Sequence, residues 1–338
     1  MERPVRALLH RIGVGLFLTL VVVFTSFMLV KLGAGPADVL LGGPSPGVEE
    51  RAQLVQDYGL DRPAVVQFVR YAIRVVGGEL GRSWLTSESV LDEILNRFPA
   101  TLELMLYAVF LGTLMAVPTG MAAAFARDTA EDRTVRGTSV LGEAMPPFFL
   151  ALLLLLVFFR WLDIAPAPSG RISIVLSPPP TITGSYFIDA FLMQDSIAAR
   201  SALAQLVLPV FTLALMLGAS LTLLVRGAML AQMDAPHFVY ARAQGMSREM
   251  LTLIALRGAL PAIGGGLAAQ SAALLSMTAL VEYVFAWGGI GQYGLEAMAK
   301  ADFAAVQGFI LASAAIAATV HLLHAVIRRL ARIRIRRA

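Results

Sequence analysis

The sequence lacks cysteine, and lysine occurs only twice among its 338 residues. Without cysteine the chain can form neither a disulfide nor a thiolate metal site. Binding of ATP through a P-loop requires a Gly-Lys-Ser/Thr sequence, whose lysine reaches the nucleotide phosphates. Neither Lys31 in LVKLG nor Lys300 in MAKAD lies in such a sequence. These absences exclude thiol redox chemistry and ATP binding through a P-loop.

Two motifs of membrane hydrolases are missing as well. None of the four histidines lies in the H-E-x-x-H pattern of a zinc protease, and GASLT at residues 218–222 is not the G-x-S-x-G turn of a serine hydrolase. We therefore expect a chain that is not an enzyme and that holds no cofactor and no metal ion of its own.

Charged residues make up only 15% of the sequence, whereas hydrophobic residues make up 57% and the mean hydropathy is +0.73. Five runs free of Asp, Glu, Lys and Arg exceed the ~17 residues that cross the hydrocarbon core of a bilayer. They lie between residues 11 and 31, 103 and 127, 200 and 226, 257 and 282, and 302 and 328. A sixth, slightly shorter apolar run covers residues 144–159. The pattern predicts an all-α integral membrane protein with six transmembrane helices.

Arginine is concentrated at both ends of the chain. Arg3, Arg6 and Arg11 precede the first apolar run, and RRLARIRIRR lies in a basic tail at residues 328–338. Positive residues that flank membrane spans stay in the cytoplasm, so both termini are predicted to be cytoplasmic. Residues 33–99 then form a large extracytoplasmic segment. The net charge of +4 is explained by a basic tail beside anionic lipid and needs no nucleic acid.

The extracytoplasmic segment contains two predicted helices. The stretch DRPAVVQFVRYAIRVVGG has the apolar periodicity of an amphipathic helix that begins after Pro63 and ends at the glycine pair. A second helix is predicted to begin near Ser89 and to break at Pro99. These helices could lie on the membrane, cover the mouth of a pore, or only pack against other elements.

The polar stretch YARAQGMSREM, residues 240–250, lies in an inside loop that covers residues 234–258 between the fourth and fifth predicted spans. Asp234 is predicted to cap a short helix with Pro236 in its first turn. Gly245 is predicted to make a sharp bend before a second helix, because glycine adopts left-handed backbone conformations at little cost. Taken alone, Gly245 would also fit an ordinary helix end.

The central stretches of the six predicted spans carry no ionisable side chain, which disfavours a carrier driven by a proton or sodium gradient. Moving a gate from 1:99 to 99:1 needs about 5.5 kcal/mol of differential binding. The sequence contains no recognisable nucleotide or ion site that could supply this energy. We therefore expect a gate that takes its energy from partner proteins. The alternatives are a non-coupled channel and a scaffold for membrane assembly.

Several motifs, in this order along the chain, resemble those of one family. They are YGLDRPAVVQFVRY, ELGRSW, RFPATLEL, PPFFLALLLLLVFF, LVLPVFTLAL, YARAQGMSREMLTLIALRGALP and VEYVFAWGGIGQYGLEAMAKADFAAVQGFIL. With these motifs the sequence resembles, over nearly its whole length, the transmembrane permease subunits of bacterial ABC importers of the dipeptide/oligopeptide and nickel type. The resemblance implies a single permease domain over residues 1–338 in the bacterial inner membrane.

In that family the inside loop carries the EAA motif, whose coupling helix docks into a cleft of an ATPase subunit. The resemblance puts the E-A-A positions at Val239, Tyr240 and Ala241, of which the first two depart from the motif, and the motif glycine at Gly245. The implied ATPase-coupling residues are Val239, Tyr240, Ala241, Arg242, Gly245, Met246, Ser247, Arg248 and Glu249. Their apolar members would supply adaptable contacts and their charged members would fix the register.

The resemblance also implies partners. These are a second homologous permease subunit, two ATPase subunits that bind ATP and Mg²⁺, an extracytoplasmic solute-binding protein and the lipid bilayer. Segments 33–99 and 282–302 are the expected delivery surface, and the residues expected to meet the binding protein or form the gate are Trp84, Glu282, Phe285, Trp287, Gly288 and Gly291. Di- or oligopeptides are the expected cargo, with nickel, glutathione or another small solute as alternatives.

Overall fold

The computed structural model describes residues 20–28, 31, 62–83 and 85–335, and it describes side chains as far as residue 322. Regular structure in these ranges is helical, apart from one isolated bridge between Arg82 and Ser89. The described residues form two compact units. The first contains residues up to 100 together with 288–318, and the second contains residues 101–287 together with those from 319 onward.

Ten α-helices follow a helical stretch at residues 20–28. They are α1 (Ala64–Val76), α2 (Val90–Phe125), α3 (Ala130–Ala144), α4 (Pro147–Leu154), α5 (Tyr186–Leu192), α6 (Ser196–Met233), α7 (Pro236–Ala243), α8 (Arg248–Val284), α9 (Ile290–Ala299) and α10 (Phe303–Ile335). A π-helical segment, Leu155–Trp161, continues α4.

Four helices are long and apolar enough to cross a membrane: α2, α6, α8 and the Phe303–Leu322 part of α10. They coincide with four of the six predicted runs. A fifth candidate is a pair of helices that meets this criterion only when the two are taken together. The pair consists of α3 and of α4 with its π-helical segment, and the angle between the two helices is 105°. The run at residues 11–31 lies mostly outside the described residues. The described part of the chain thus contains four or five candidate spans, and the number six stays a prediction.

The two predicted extracytoplasmic helices are present, but one of them ends elsewhere. Helix α1 begins directly after Pro63 and is followed by the glycine pair, as predicted. Helix α2 begins after Ser89, yet it continues through Pro99 to Phe125. The prediction that Pro99 ends this helix is wrong. A proline removes a single N–H from the helix, and long apolar helices tolerate this loss where neighbouring residues satisfy the freed carbonyl.

In the first unit, the start of α2 packs against α9 and the start of α10. Val90 and Ile94 of α2 form one buried cluster with Ile290 and Tyr293 of α9. Ser83 donates a hydrogen bond to the buried Asp302 carboxylate at 2.6 Å, which ties the backbone before α2 to the start of α10. The start of α2, helix α9 and the start of α10 thus share one buried apolar cluster.

In the second unit, α2 approaches α6 through a row of small residues. Gly112, Ala116 and Gly120 recur every four positions and therefore lie on one side of α2. A Cβ atom added to Gly120 would lie 2.7 Å from the Thr222 carbonyl oxygen and 2.7 Å from Val225 Cβ. Small residues at this spacing let helix backbones pack closely inside a membrane, where no hydrophobic effect drives association.

Candidate functional site

The loop between α6 and α8, predicted to lie inside, begins at Asp234, directly after the end of α6. The Asp234 carboxylate forms an exposed ion pair with Arg127, with Oδ1 and Nη1 3.0 Å apart. Helix α7 starts after Ala235, which provides no side-chain cap, and Pro236 lies in its first turn. The prediction for Pro236 is confirmed. The prediction that Asp234 caps α7 is wrong, because Asp234 immediately follows α6 and its carboxylate is held by Arg127.

Helix α7 has a buried side and an exposed side. Phe238 and Ala241 are buried, and Phe238 belongs to an apolar cluster with Met229 of α6 and Ala255 of α8. Val239 and Tyr240 point outward, with 55% and 66% of their surface exposed. The Phe238 side chain of this short helix therefore packs against α6 and α8, whereas Val239 and Tyr240 are exposed.

The turn after α7 is closed by two backbone hydrogen bonds around a left-handed glycine. Gly245 has φ +75°, its N–H donates to the Arg242 carbonyl at 3.0 Å, and the Met246 N–H donates to the Ala241 carbonyl at 3.4 Å. This pair of bonds is the Schellman motif, which favours glycine because a side chain strains the left-handed conformation. No atom lies within 4 Å of a Cβ built on Gly245. The bend predicted at Gly245 is confirmed, and backbone conformation is its cause.

Helix α8 begins on the other side of this turn. Ser247 is its N-cap, and the Ser247 hydroxyl accepts a hydrogen bond from the Met250 N–H at 3.3 Å. The cap satisfies one of the free N–H groups at the helix start. The helix then passes through Pro261 to Val284. Gly245 and Ser247 together fix the angle at which the chain enters α8.

The residues around this turn form one exposed surface, which we call the loop face. Its apolar members are Val239, Tyr240, Met246, Met250 and Leu253, and its charged members are Arg242, Arg248 and Glu249. Exposed methionine and tyrosine beside charged side chains are typical of a protein contact. Eight of the nine predicted coupling residues are exposed, and only Ala241 is buried.

The second predicted set does not form an exposed surface. Four of its members are buried, namely Glu282, Phe285, Trp287 and Gly291. Gly288 is partly exposed, and Trp84 lies outside the described residues. Glu282 accepts a hydrogen bond from the Thr101 hydroxyl at 2.6 Å. The buried members cannot themselves meet an incoming protein in this conformation, and their part in a gate stays a prediction.

A buried polar network in the second unit was not predicted from the sequence. Arg171 forms an ion pair with Glu103 of α2, with Nη2 and Oε2 2.8 Å apart, and its guanidinium lies 3.9 Å from the ring centre of Tyr186. Ser185 also donates to the Glu103 carboxylate. The network links a loop residue to α2 across 68 positions, a separation that neither periodicity nor local motifs reveal.

The same loop contains a buried carboxylate that accepts hydrogen bonds from backbone N–H groups of the loop. Asp189 of α5 accepts hydrogen bonds from the Thr183 N–H and hydroxyl, both at 2.7 Å, and from the N–H groups of Ile182 and Gly184. Burial alone would raise the pKa of Asp189, but these hydrogen bonds together hold it below the usual value. The loop is therefore fixed by an ionised side chain.

The chain matches two family descriptions. Residues 116–337 match the binding-protein-dependent transport system inner membrane component family, and residues 5–105 match the N-terminal region of such membrane components. The chain belongs to this family. It is therefore a membrane component of a binding-protein-dependent transport system, and the family assignment inferred from the sequence motifs is confirmed.

Curated relatives match over most of their length. The chain is 36% identical to the Probable D,D-dipeptide transport system permease protein DdpB of Escherichia coli (strain K12), over 84% of each chain. It is 30% identical to the dipeptide transport system permease protein DppB of the same strain, over 94% of each chain. It is 32% identical to the di/tripeptide transport system permease protein DppB of Pseudomonas aeruginosa (strain UCBPP-PA14), over 93% of this chain and 94% of the relative.

Proposed function

We propose that this chain is the pore-forming membrane subunit of an ATP-driven importer, and that its loop face docks onto an ATPase subunit. The observation that carries the proposal is the geometry at Gly245. A short helix, a left-handed turn and a capped second helix follow one another, and the apolar side chains around the turn are exposed. Apolar side chains on an inside loop are stabilised when a partner covers them.

Energy for transport is proposed to come from partner subunits. The chain has no Gly-Lys-Ser/Thr sequence, so we propose that it is not catalytic, and that ATP and Mg²⁺ are bound by two ATPase subunits. A second homologous permease subunit would complete the pore, and an extracytoplasmic solute-binding protein would deliver the cargo. We further propose, as the resemblance implies, that Trp84, Glu282, Phe285, Trp287, Gly288 and Gly291 contribute to the gate.

The proposed cargo is a di- or oligopeptide, because the relatives described above are named as dipeptide, D,D-dipeptide and di/tripeptide transport proteins. Nickel, glutathione or another small solute is the second candidate. The test is uptake of labelled dipeptide, nickel and glutathione by cells with and without this chain. We expect deletion to abolish dipeptide uptake and plasmid-borne expression to restore it. Loss of nickel or glutathione uptake alone would reassign the cargo, and no change in any of the three would contradict the import proposal.

The proposed topology has six spans and cytoplasmic termini, with residues 33–99 outside. Single cysteines test it cleanly, because the chain has none. We expect Val175→Cys to react with an impermeant maleimide while the inner membrane is intact, and Glu249→Cys to react only after that membrane is opened. Both positions are exposed, so access to the label depends on the side of the membrane. The opposite labelling pattern would contradict the topology.

A further inference from the structure

Helix α1 presents an apolar stripe that the described residues leave exposed. Val65, Val69, Ile73 and Val76 recur at helical spacing on one side, and Val65 and Val76 have 74% and 90% of their surface exposed. A stripe of this kind is unfavourable in water, because the transfer of aliphatic side chains from water to an apolar environment is favourable. The stripe therefore favours a state in which it is covered.

The opposite side of α1 is already packed against apolar helices. The Phe68 ring meets the rings of Phe24 and Phe27 edge-on, with both centroids 5.5 Å away. The Tyr71 hydroxyl is hydrogen-bonded to Ser26 at 3.2 Å and receives a hydrogen bond from Gln307 of α10. These contacts fix the rotation of α1, so the apolar stripe cannot turn inward.

The helical stretch at residues 20–28, which packs against the other side of α1, is itself apolar and partly exposed. Leu20, Val21 and Phe24 are exposed there, in a run without charged residues that is long enough to cross a bilayer. Phe24 also contacts Phe68 of α1. Helix α1 is thus packed against a segment whose own exposed side chains suit acyl chains.

The charges of α1 suit the lipid headgroups. The sequence of α1 contains no Asp or Glu, and Arg70 and Arg74 are its only charged residues. At about 100° per residue, Arg70 lies about 100° and Arg74 about 140° from the centre of the stripe, so neither arginine lies within it. A helix that lies in a membrane interface buries its apolar side at the acyl boundary, while arginine stems extend to the phosphates.

We propose that α1 lies flat in the extracytoplasmic interface of the bilayer, with its apolar stripe in the acyl boundary and Arg70 and Arg74 toward the phospholipid phosphates. This inference rests on the proposed topology, in which residues 33–99 lie outside, and does not depend on the cargo. It resolves the alternatives left open by the sequence in favour of the membrane surface. The helix would fix the height of the extracytoplasmic segment relative to the lipid.

The test uses nitroxide labels on single cysteines of the full chain in liposomes that contain phosphatidylglycerol. Labels at Val69→Cys and Ile73→Cys report the stripe, Phe110→Cys reports an exposed position of the apolar helix α2, and Glu79→Cys reports an exposed polar position just after α1. Collisions with oxygen measure contact with lipid, and collisions with a water-soluble nickel chelate measure contact with water.

We expect the labels at positions 69 and 73 to behave like that at position 110, with an oxygen-to-nickel ratio several-fold above that at position 79. High accessibility to nickel at positions 69 and 73 would mean that the stripe faces water, and low accessibility to both reagents would mean that a protein covers it. Either result would overturn the proposal. Replacing Arg70 and Arg74 with Gln should shift the stripe labels toward the water values.

Discussion

Arg226 of α6 donates two hydrogen bonds to the carboxylate of Asp132 on α3, from Nε and from Nη2. The distance between Nη2 and Oδ2 is 2.7 Å. Asp132 has no exposed surface, and the Asp128 N–H and the more distant Arg136 also face it. The pair attaches helix α3 to the long helix α6. Breaking one side of a buried ion pair is costly because the other charge is left without a partner.

We predict that Arg226→Ala lowers the unfolding temperature of the purified protein by several degrees. Arg226→Lys should restore only part of this loss, because an ammonium group cannot make the two-point contact of a guanidinium. Arg133→Gln, at an exposed position of the same helix α3, is the matched control and should have little effect. Equal unfolding temperatures for Arg226→Ala and wild type would contradict the role assigned to the pair.

The close approach of α2 to α6 predicts opposite effects of one substitution at two glycines. Gly120→Ala should destabilise the protein by about 1–3 kcal/mol, because the added Cβ meets backbone and a branched side chain. Gly137→Ala should stabilise it by about 0.5–1 kcal/mol, since nothing lies near that position and alanine favours the helix. Titration with SDS, followed by loss of helicity, measures both. Destabilisation of equal size at both positions would show that close packing at Gly120 is not the cause.

These contacts show which parts of the structure could be predicted from the sequence. The turn at Gly245 depends on residues next to it in the sequence and on the backbone freedom of glycine. The local sequence was therefore sufficient to predict it. Local reasoning failed at Pro99, where packing along α2 outweighs the lost hydrogen bond. It also missed the Asp132–Arg226 pair, whose members are 94 positions apart. The small-residue row at Gly112, Ala116 and Gly120 was visible in the sequence, but its partner helix was not.

Acid should loosen the loop around Asp189. The pKa of Asp189 lies below its ordinary value of 3.8, so its hydrogen bonds stabilise the folded loop above that pH and their contribution is lost as the pH falls through the lowered pKa. We predict constant amide-exchange protection of residues 182–184 from pH 8 to about 5 and loss of protection below about 4. Asp189→Asn should reduce protection at neutral pH and weaken its pH dependence. Unchanged protection in Asp189→Asn would contradict this account.

The left-handed backbone at Gly245 predicts a graded series of substitutions. Gly245→Asn should retain most binding-protein-stimulated ATP hydrolysis in the assembled transporter, because asparagine tolerates this conformation better than other side chains. Gly245→Val should lose much of it, since a β-branched residue strains the turn by about 1 kcal/mol or more. Gly245→Glu should also uncouple transport, because it would add a carboxylate where a partner is proposed to dock. Gly264→Ala, at an open helical position, is the control. Equal activity of the Asn and Val variants would show that the turn conformation is unimportant.

The most direct test of the loop face is a photo-crosslinker placed at Tyr240 in the assembled transporter. Ile174, with 84% of its surface exposed in the loop predicted to be outside, serves as the control position. We expect illumination to attach the Tyr240 position to an ATPase subunit and the Ile174 position to no ATPase subunit, with Gly245→Val reducing the Tyr240 product. An assembled, active transporter that gave no ATPase crosslink from Tyr240, or an equal yield from Ile174, would contradict the proposal that this loop receives the energy of ATP.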